Sequence, residues 1–178
     1  MLPWLLALGL ACLSWTGVGY AQQTIKGTSE LKKQESNAVT VNPIGIVERR
    51  EERVFLQVAP QYAPALDGLT GFSHVWVLYW FHGHDNPEDR GTLKVHPRRD
   101  PANPLTGVFA TRAPVRPNLI GLTACRLIGL KGTTLEVADL DAQDGSPVLD
   151  IKPYIPEGDS HPEAQTPEWV KRLKSSEK

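Results

Sequence analysis

Apolar and polar residues alternate over short stretches along the middle of this chain instead of recurring every three or four positions. Ile44-Gly45-Ile46-Val47, Val54-Phe55-Leu56-Gln57-Val58 and His74-Val75-Trp76-Val77-Leu78-Tyr79-Trp80-Phe81-His82 are rich in β-branched and aromatic residues that fit a pleated surface, and they read as strands. Residues 107–110, 119–130, 134–139 and 148–152 continue the series. In the third run a period of two puts His74, Trp76, Leu78, Trp80 and His82 on one face and Val75, Val77, Tyr79 and Phe81 on the other. Both faces are apolar, so this strand is expected to be central.

Turn signals at Asn86-Pro87, Pro101-Ala102-Asn103-Pro104, Arg116-Pro117-Asn118 and Asp144-Gly145-Ser146-Pro147 separate these runs at short intervals, which favours antiparallel pairing and barrel closure. Fifteen prolines and fifteen glycines suit a chain that turns often. The expected fold is all-β: a small antiparallel β-barrel over residues 41–156. A tail over 157–178 is expected to carry a short helix, with Thr166 as N-cap, Pro167 at the first helical position and Trp169 docking it.

Ahead of the barrel, residues 1–21 are almost free of charge. An apolar run over 5–13 precedes Gly19-Tyr20-Ala21, a small-x-small site before Gln22, and the segment reads as a cleavable signal peptide. Residues 22–40 are polar and read as a linker. Cleavage would leave an exported domain with no stable membrane insertion. It would also leave Cys125 without Cys12, and so without an internal disulfide.

The 178 residues allow one domain with a real core, and hence one site. With 19 basic and 20 acidic residues the net charge is −1, which excludes a global basic field for nonspecific nucleic-acid binding. Any RNA contact must come from a local patch.

Polar chemistry concentrates in Phe72-Ser73-His74, in His82-Gly83-His84-Asp85, and in residues 107–121 and 138–154. Pro114 and Pro117 brace a loop carrying Arg112 and Arg116. A guanidinium there can grip a carboxylate or phosphate through two parallel hydrogen bonds; the plainer alternative is pairing with the domain's own carboxylates. Asp139, Asp141, Asp144 and Asp150 form an acidic cluster, Asp139 and Asp141 sharing a face if the chain is extended, able to accept N–H groups from an adenine or ribose. For Asp144, ordinary turn chemistry competes with that role. His82, His84 and Asp85, with His96 downstream, supply donors for zinc or copper but complete no recognised metal spacing, so no metal is expected. No GxGxxG follows a strand, which leaves a Rossmann cofactor site unsupported.

Together, Phe72-Ser73-His74-Val75-Trp76, Gly107-Val108-Phe109-Ala110-Thr111-Arg112, Arg116-Pro117-Asn118 and the run from Asp144-Gly145-Ser146-Pro147 to Asp150-Ile151-Lys152-Pro153-Tyr154 resemble the signature blocks of the TsaA/TrmO family, in family order over nearly the whole domain. The resemblance implies a compact barrel, often a homodimer, that binds S-adenosyl-L-methionine without a Rossmann fold. It implies methylation of N6 of threonylcarbamoyladenosine beside the tRNA anticodon. It places the cofactor pocket at His82, Gly83, Arg112, Leu127, Asp141, Ala142, Gln143 and Asp144. Arg98, Arg116, Asn118, Asp150, Lys152 and Tyr154 match other blocks and are expected to face substrate or hold the pocket's shape.

Methyl transfer from a sulfonium is an in-line displacement that needs alignment and exclusion of water. Asp141 and Asp144 are the candidates to orient or accept the N6 proton, and neither is singled out as the base. The chain departs from the family pattern in three ways. Val47 to Arg53 makes a short connection where many members carry a Pro-Arg-Gln segment, Ala113 and Leu119 stand where the family often has Ser and Pro, and the C-terminal domain of longer members is missing. The signal-like N-terminus points to export and the family to the cytoplasm with tRNA as partner. The competing reading is therefore an exported small-ligand-binding barrel that has lost or changed the methyltransferase reaction.

Overall fold

Residues 39–175 are described by a computed structural model; the signal-peptide reading of 1–21 and residues 22–38 of the expected linker lie outside them. Strands β1 (Gly45–Arg50) and β2 (Arg53–Val58) form a hairpin in register from Gly45 opposite Val58 to Arg50 opposite Arg53. Its two-residue turn puts Glu51 in the left-handed region, at φ 55°, the conformation that matches a tight turn to the strands' twist. Strand β3 (His74–Trp80) follows two 3-10 turns, and a short helix α1 (Pro87–Gly91) leads to a ribbon of β4 (Lys94–Val95) and β5 (Thr106–Gly107). Strands β6 (Ile120–Lys131), β7 (Thr134–Ala138) and β8 (Pro147–Pro153) complete the sheet, followed by α2 (Pro156–Asp159) and α3 (Glu168–Ser175).

The six long strands close in the order β1-β2-β7-β6-β3-β8, every neighbouring pair antiparallel. The alternation in the sequence becomes an inside and an outside. Val47, Leu56, Val75, Val77, Leu135 and Val148 are buried in one cluster, with Leu66, Leu140 and Ala142 packed into it from the loops. In β3, Val75, Val77 and Tyr79 face inward while Trp76, Leu78 and Trp80 are half-buried outside, so the strand is central in pairing and apolar on both faces, as expected. Cys125 lies in the core, where burial pushes its thiol up to about 12. Among the described residues no helix is long and apolar enough to cross a membrane.

Several boundaries differ from expectation. The third strand stops at Trp80, because Phe81 leaves the extended region (ψ 65°) and His82–His84 winds into a 3-10 turn. Only Thr106–Gly107 pairs as a strand where 107–110 was expected; Val108–Ala110 is a turn that buries Val108 and turns Phe109 outward. Asp139 adopts φ 69°, which ends β7 and breaks the alternation that would have set Asp139 and Asp141 on one face. The C-terminal helix starts at Glu168, just after Pro167, with Trp169 and Val170 half-buried.

Gly121 lies opposite Tyr79, and a Cβ built on it would stand 2.4 Å from the tyrosine ring. Gly121→Ala is expected to destabilise the fold by about 1–3 kcal/mol through overpacking, lowering the urea midpoint at constant m. An unchanged midpoint would mean that the Tyr79 ring shifts at no cost.

Candidate functional site

Three loops at the end of β3 enclose a cavity of about 180 Å³, lined by Tyr79, Phe81, His82, Gly83, His84, Arg112, Pro114, Asp141, Ala142, Gln143 and Ser146. Tyr79 and Phe81 come from β3 and its end, the 3-10 turn after it supplies His82, Gly83 and His84, the proline-braced loop before β6 supplies Arg112 and Pro114, and the β7–β8 loop supplies Asp141, Ala142, Gln143 and Ser146. The walls approach closely at Gly83, where a Cβ would stand 3.1 Å from Gln143 Oε1.

Asp141 is the acid of this lining. Its Oδ1 accepts from the Tyr79 hydroxyl at 2.7 Å and from Thr123 Oγ1 at 3.0 Å. Burial, reinforced by the hydrogen bond to Asp141 and the charge of that carboxylate, pushes the Tyr79 phenol up to about 12, so it remains a donor throughout the neutral range. The loop that carries Asp141 is held by Arg49 of β1, the strand that pairs with β8. The Arg49 guanidinium donates Nε–H to the Ala142 carbonyl at 2.8 Å and Nη2–H to the Leu140 carbonyl at 2.6 Å, and its backbone N–H donates to Asp144 Oδ1 at 2.7 Å. Ser146 Oγ lies 3.2 Å from His82 Nδ1 and ties the same loop to the histidine turn.

The histidine turn is anchored in turn to the arginine loop. Asp85 accepts from Trp80 Nε1 at 3.0 Å and from Arg90 Nε at 2.8 Å, contacts that hold its carboxyl below the usual range, the Arg90 bond contributing most. Arg90 also donates to the Pro117 carbonyl at 3.0 Å and lies over the Trp80 ring. His84 Nδ1 is 2.9 Å from Asp89 Oδ2, while His96 Nδ1 is 2.7 Å from the Asn103 carbonyl. Among the described residues no three His, Cys, Asp or Glu side chains gather as a metal site.

Of the expected cofactor positions, His82, Gly83, Arg112, Asp141, Ala142 and Gln143 line this one cavity. Leu127 packs against the core from β6, and Asp144, occupied by the Arg49 amide, lies off the cavity wall. Arg116 turns back to donate Nη2–H to the carbonyls of Val108 (2.8 Å) and Thr111 (3.3 Å). Asn118 is exposed, its carbonyl accepting from the Ile120 amide. Asp150 pairs with Lys152 at 2.7 Å and Tyr154 packs on Trp76, both at β8 and its end, away from the cavity. Arg98 sits in the 3-10 turn Pro97–Arg99 of the ribbon. Sequence reasoning did not single out Arg49, Tyr79 or Thr123 as site residues. Tyr79 carried a signal, an aromatic hydroxyl on an otherwise apolar inward face, which needs a buried partner. Arg49 carried none.

These features define a class: a closed six-stranded antiparallel barrel with a polar cavity among the loops at one end. The chain belongs to the family of the tRNA-methyltransferase O N-terminal domain, which matches over residues 33–160. It is 41% identical over 115 residues to a probable S-adenosyl-L-methionine-binding protein of Pyrococcus horikoshii, covering 65% of this chain and 82% of that protein. It is 49% identical over 98 residues to a tRNA (adenine(37)-N6)-methyltransferase of Mus musculus, covering 54% of this chain but 22% of the mouse protein. The crystal structure of TrmO from P. aeruginosa matches with a TM-score of 0.58 and 33% identity, covering 75% of this chain and 62% of that one. The family and the barrel read from the sequence both hold.

Because Arg49 holds two carbonyls of the cavity loop, Arg49→Ala is expected to loosen residues 139–146 by about 1–2 kcal/mol, seen as roughly tenfold faster amide exchange there with the barrel strands unchanged. Equal exchange in both proteins would remove Arg49 from the loop's support.

Proposed function

We propose that this chain is an S-adenosyl-L-methionine-dependent methyltransferase that acts on N6 of an adenine in tRNA, the threonylcarbamoyladenosine beside the anticodon. The observation that carries the reading is the convergence of Arg112, the His82-Gly83 turn and Asp141 to Gln143 on one cavity, in a chain of this family. The names of the P. horikoshii and mouse relatives point the same way.

The cavity suits the cofactor chemically. Arg112 is the cation for its carboxylate, Phe81 and Pro114 offer apolar surface to the adenosine, and Gly83 keeps the passage beside Gln143 open. Bound there, S-adenosyl-L-methionine supplies an electrophilic methyl group on a sulfonium. The chain's own contribution is to orient the adenine, exclude water and take a proton. Asp141 does the last: with both hydroxyl donors on Oδ1, its Oδ2 accepts the N6–H and receives that proton as N6 gains its new carbon bond. Tyr79 and Thr123 fix the carboxylate's orientation, and Arg49 fixes the loop beneath it.

Calorimetric titration of the purified full chain is expected to show micromolar binding of S-adenosyl-L-methionine and S-adenosylhomocysteine, and absence of both would overturn the proposal. Arg112→Ala is expected to weaken both by about tenfold, the worth of one charge-assisted contact. Asp141→Asn keeps the hydroxyl contacts but removes the proton acceptor. It should lower the rate of methyl transfer to tRNA by about 100-fold or more while leaving cofactor affinity nearly unchanged; an unaltered rate would shift the proton to water.

A further inference from the structure

The nearly neutral net charge of the chain hides a segregation. Between β3 and β6 the acids Asp85, Glu88 and Asp89 come first, Asp85 paired with Arg90, and Asp89 with His84 and within electrostatic reach of Arg99; residues 92–118 then hold Lys94, Arg98, Arg99, Arg112 and Arg116 against Asp100, within a protein of net charge −1. This is a local patch of the kind that a polyanion needs and that composition alone conceals.

The same segment presents an exposed aromatic side chain. Phe109 is 82% exposed on the 3-10 turn Val108–Ala110, whose neighbour Val108 is buried at 2%. The turn is rigid: Arg116 and Thr111 Oγ1 both donate to the Val108 carbonyl, and the Val108 amide donates to the Leu93 carbonyl. Arg98 and Arg99 sit at φ 59° and 58°, successive left-handed residues that are uncommon outside glycine. Their turn is held by buried Asn103, which donates Nδ2–H to the Pro97 carbonyl at 3.0 Å, and by His96 on the Asn103 carbonyl. Arg112, three residues beyond Phe109, is already in the cavity wall.

We infer that this segment is the chain's contact for single-stranded RNA. Phe109 stacks on an unpaired base next to the one in the cavity, while Lys94 and Arg99 on the ribbon hold flanking phosphates. An exposed ring on a rigid turn among cations matches the stacking platform and electrostatic track by which proteins hold unpaired nucleotides. The inference rests on the tRNA reading above and adds to it where the RNA lies. Exposed Leu93 and Leu105 border the ribbon and make a second copy of the chain the rival occupant.

The test is fluorescence anisotropy of the full chain with a labelled anticodon stem-loop RNA, alongside calorimetry with S-adenosyl-L-methionine and sedimentation. Phe109→Ala is expected to weaken RNA binding by about tenfold, Phe109→Trp to retain it, and neither to change cofactor affinity. Lys94→Ala with Arg99→Ala is expected to reduce the slope of log K against log salt by about 1.4. RNA binding that is strong in the wild type and unchanged in all variants would overturn this inference alone. So would loss of a dimer in Phe109→Ala at unchanged RNA affinity, which would give the surface to a second copy. Cofactor binding without any RNA binding by the wild type would instead sink the tRNA reading, and this inference with it.

Discussion

Strand β8 is what makes a barrel of this chain, and the site exists because of it. It pairs with β3 along one side and with β1 along the other, the second seam running only through Gly45 opposite Val148 and Ile46 opposite Pro147. That short seam is extended by backbone bonds from Ile44 to Val148, Val47 to Ser146 and Gly145 to Val47, each 2.8 Å. Gly45 tolerates no side chain there, since a Cβ would meet the Gln57 carbonyl at 2.3 Å. Closure brings the start of the domain against the loop that precedes its last strand, which is how Arg49 comes to hold the carbonyls of Leu140 and Ala142.

Closure also explains how a polar cavity persists at the end of an apolar barrel. The buried part of Tyr79 belongs to the core, and its hydroxyl reaches the rim, where Asp141 and Thr123 meet it. A phenol left without partners there would carry a desolvation cost; bonded, it becomes a fixed donor that orients a carboxylate. Among the described residues no buried side-chain nitrogen or oxygen lacks a partner. The cavity's exposed groups therefore stand on a fully satisfied support, the condition for holding a reactant in one orientation.

Cavity and basic segment share a single piece of chain. Arg116 folds back on the turn of Phe109, Arg90 reaches from α1 to Pro117, and Arg112 faces the cavity from between them. Charge at this place acts at short range, because salt screens beyond about 8–10 Å. A protein of balanced charge thus gathers five of its 19 basic residues into 92–118, the stretch that also reaches its cavity through Arg112.

The strands of the barrel were legible in the sequence because burial of one face of a pleated sheet imposes a period of two, which this chain obeys from Val75 to Tyr79, while in β2 Phe55 is buried as well, beneath Arg50 and Arg53. His82, Gly83, Arg112 and Asp141 to Gln143 were legible through motif blocks, each local in the chain. Strand ends were less so: Phe81 leaves the extended region and Asp139 takes a positive φ, where the period of two alone would have continued both strands. The support of the site was not legible at all. Arg49 finds Leu140 and Ala142 across 91 and 93 residues, and Tyr79 finds Asp141 across 62. Such pairings depend on register and on closure, which are settled by the summed packing of six strands. Composition and pattern thus determined that the chain would form an all-β barrel with these loops, while the tertiary structure alone decided which loop groups meet and which acid is oriented toward the cavity.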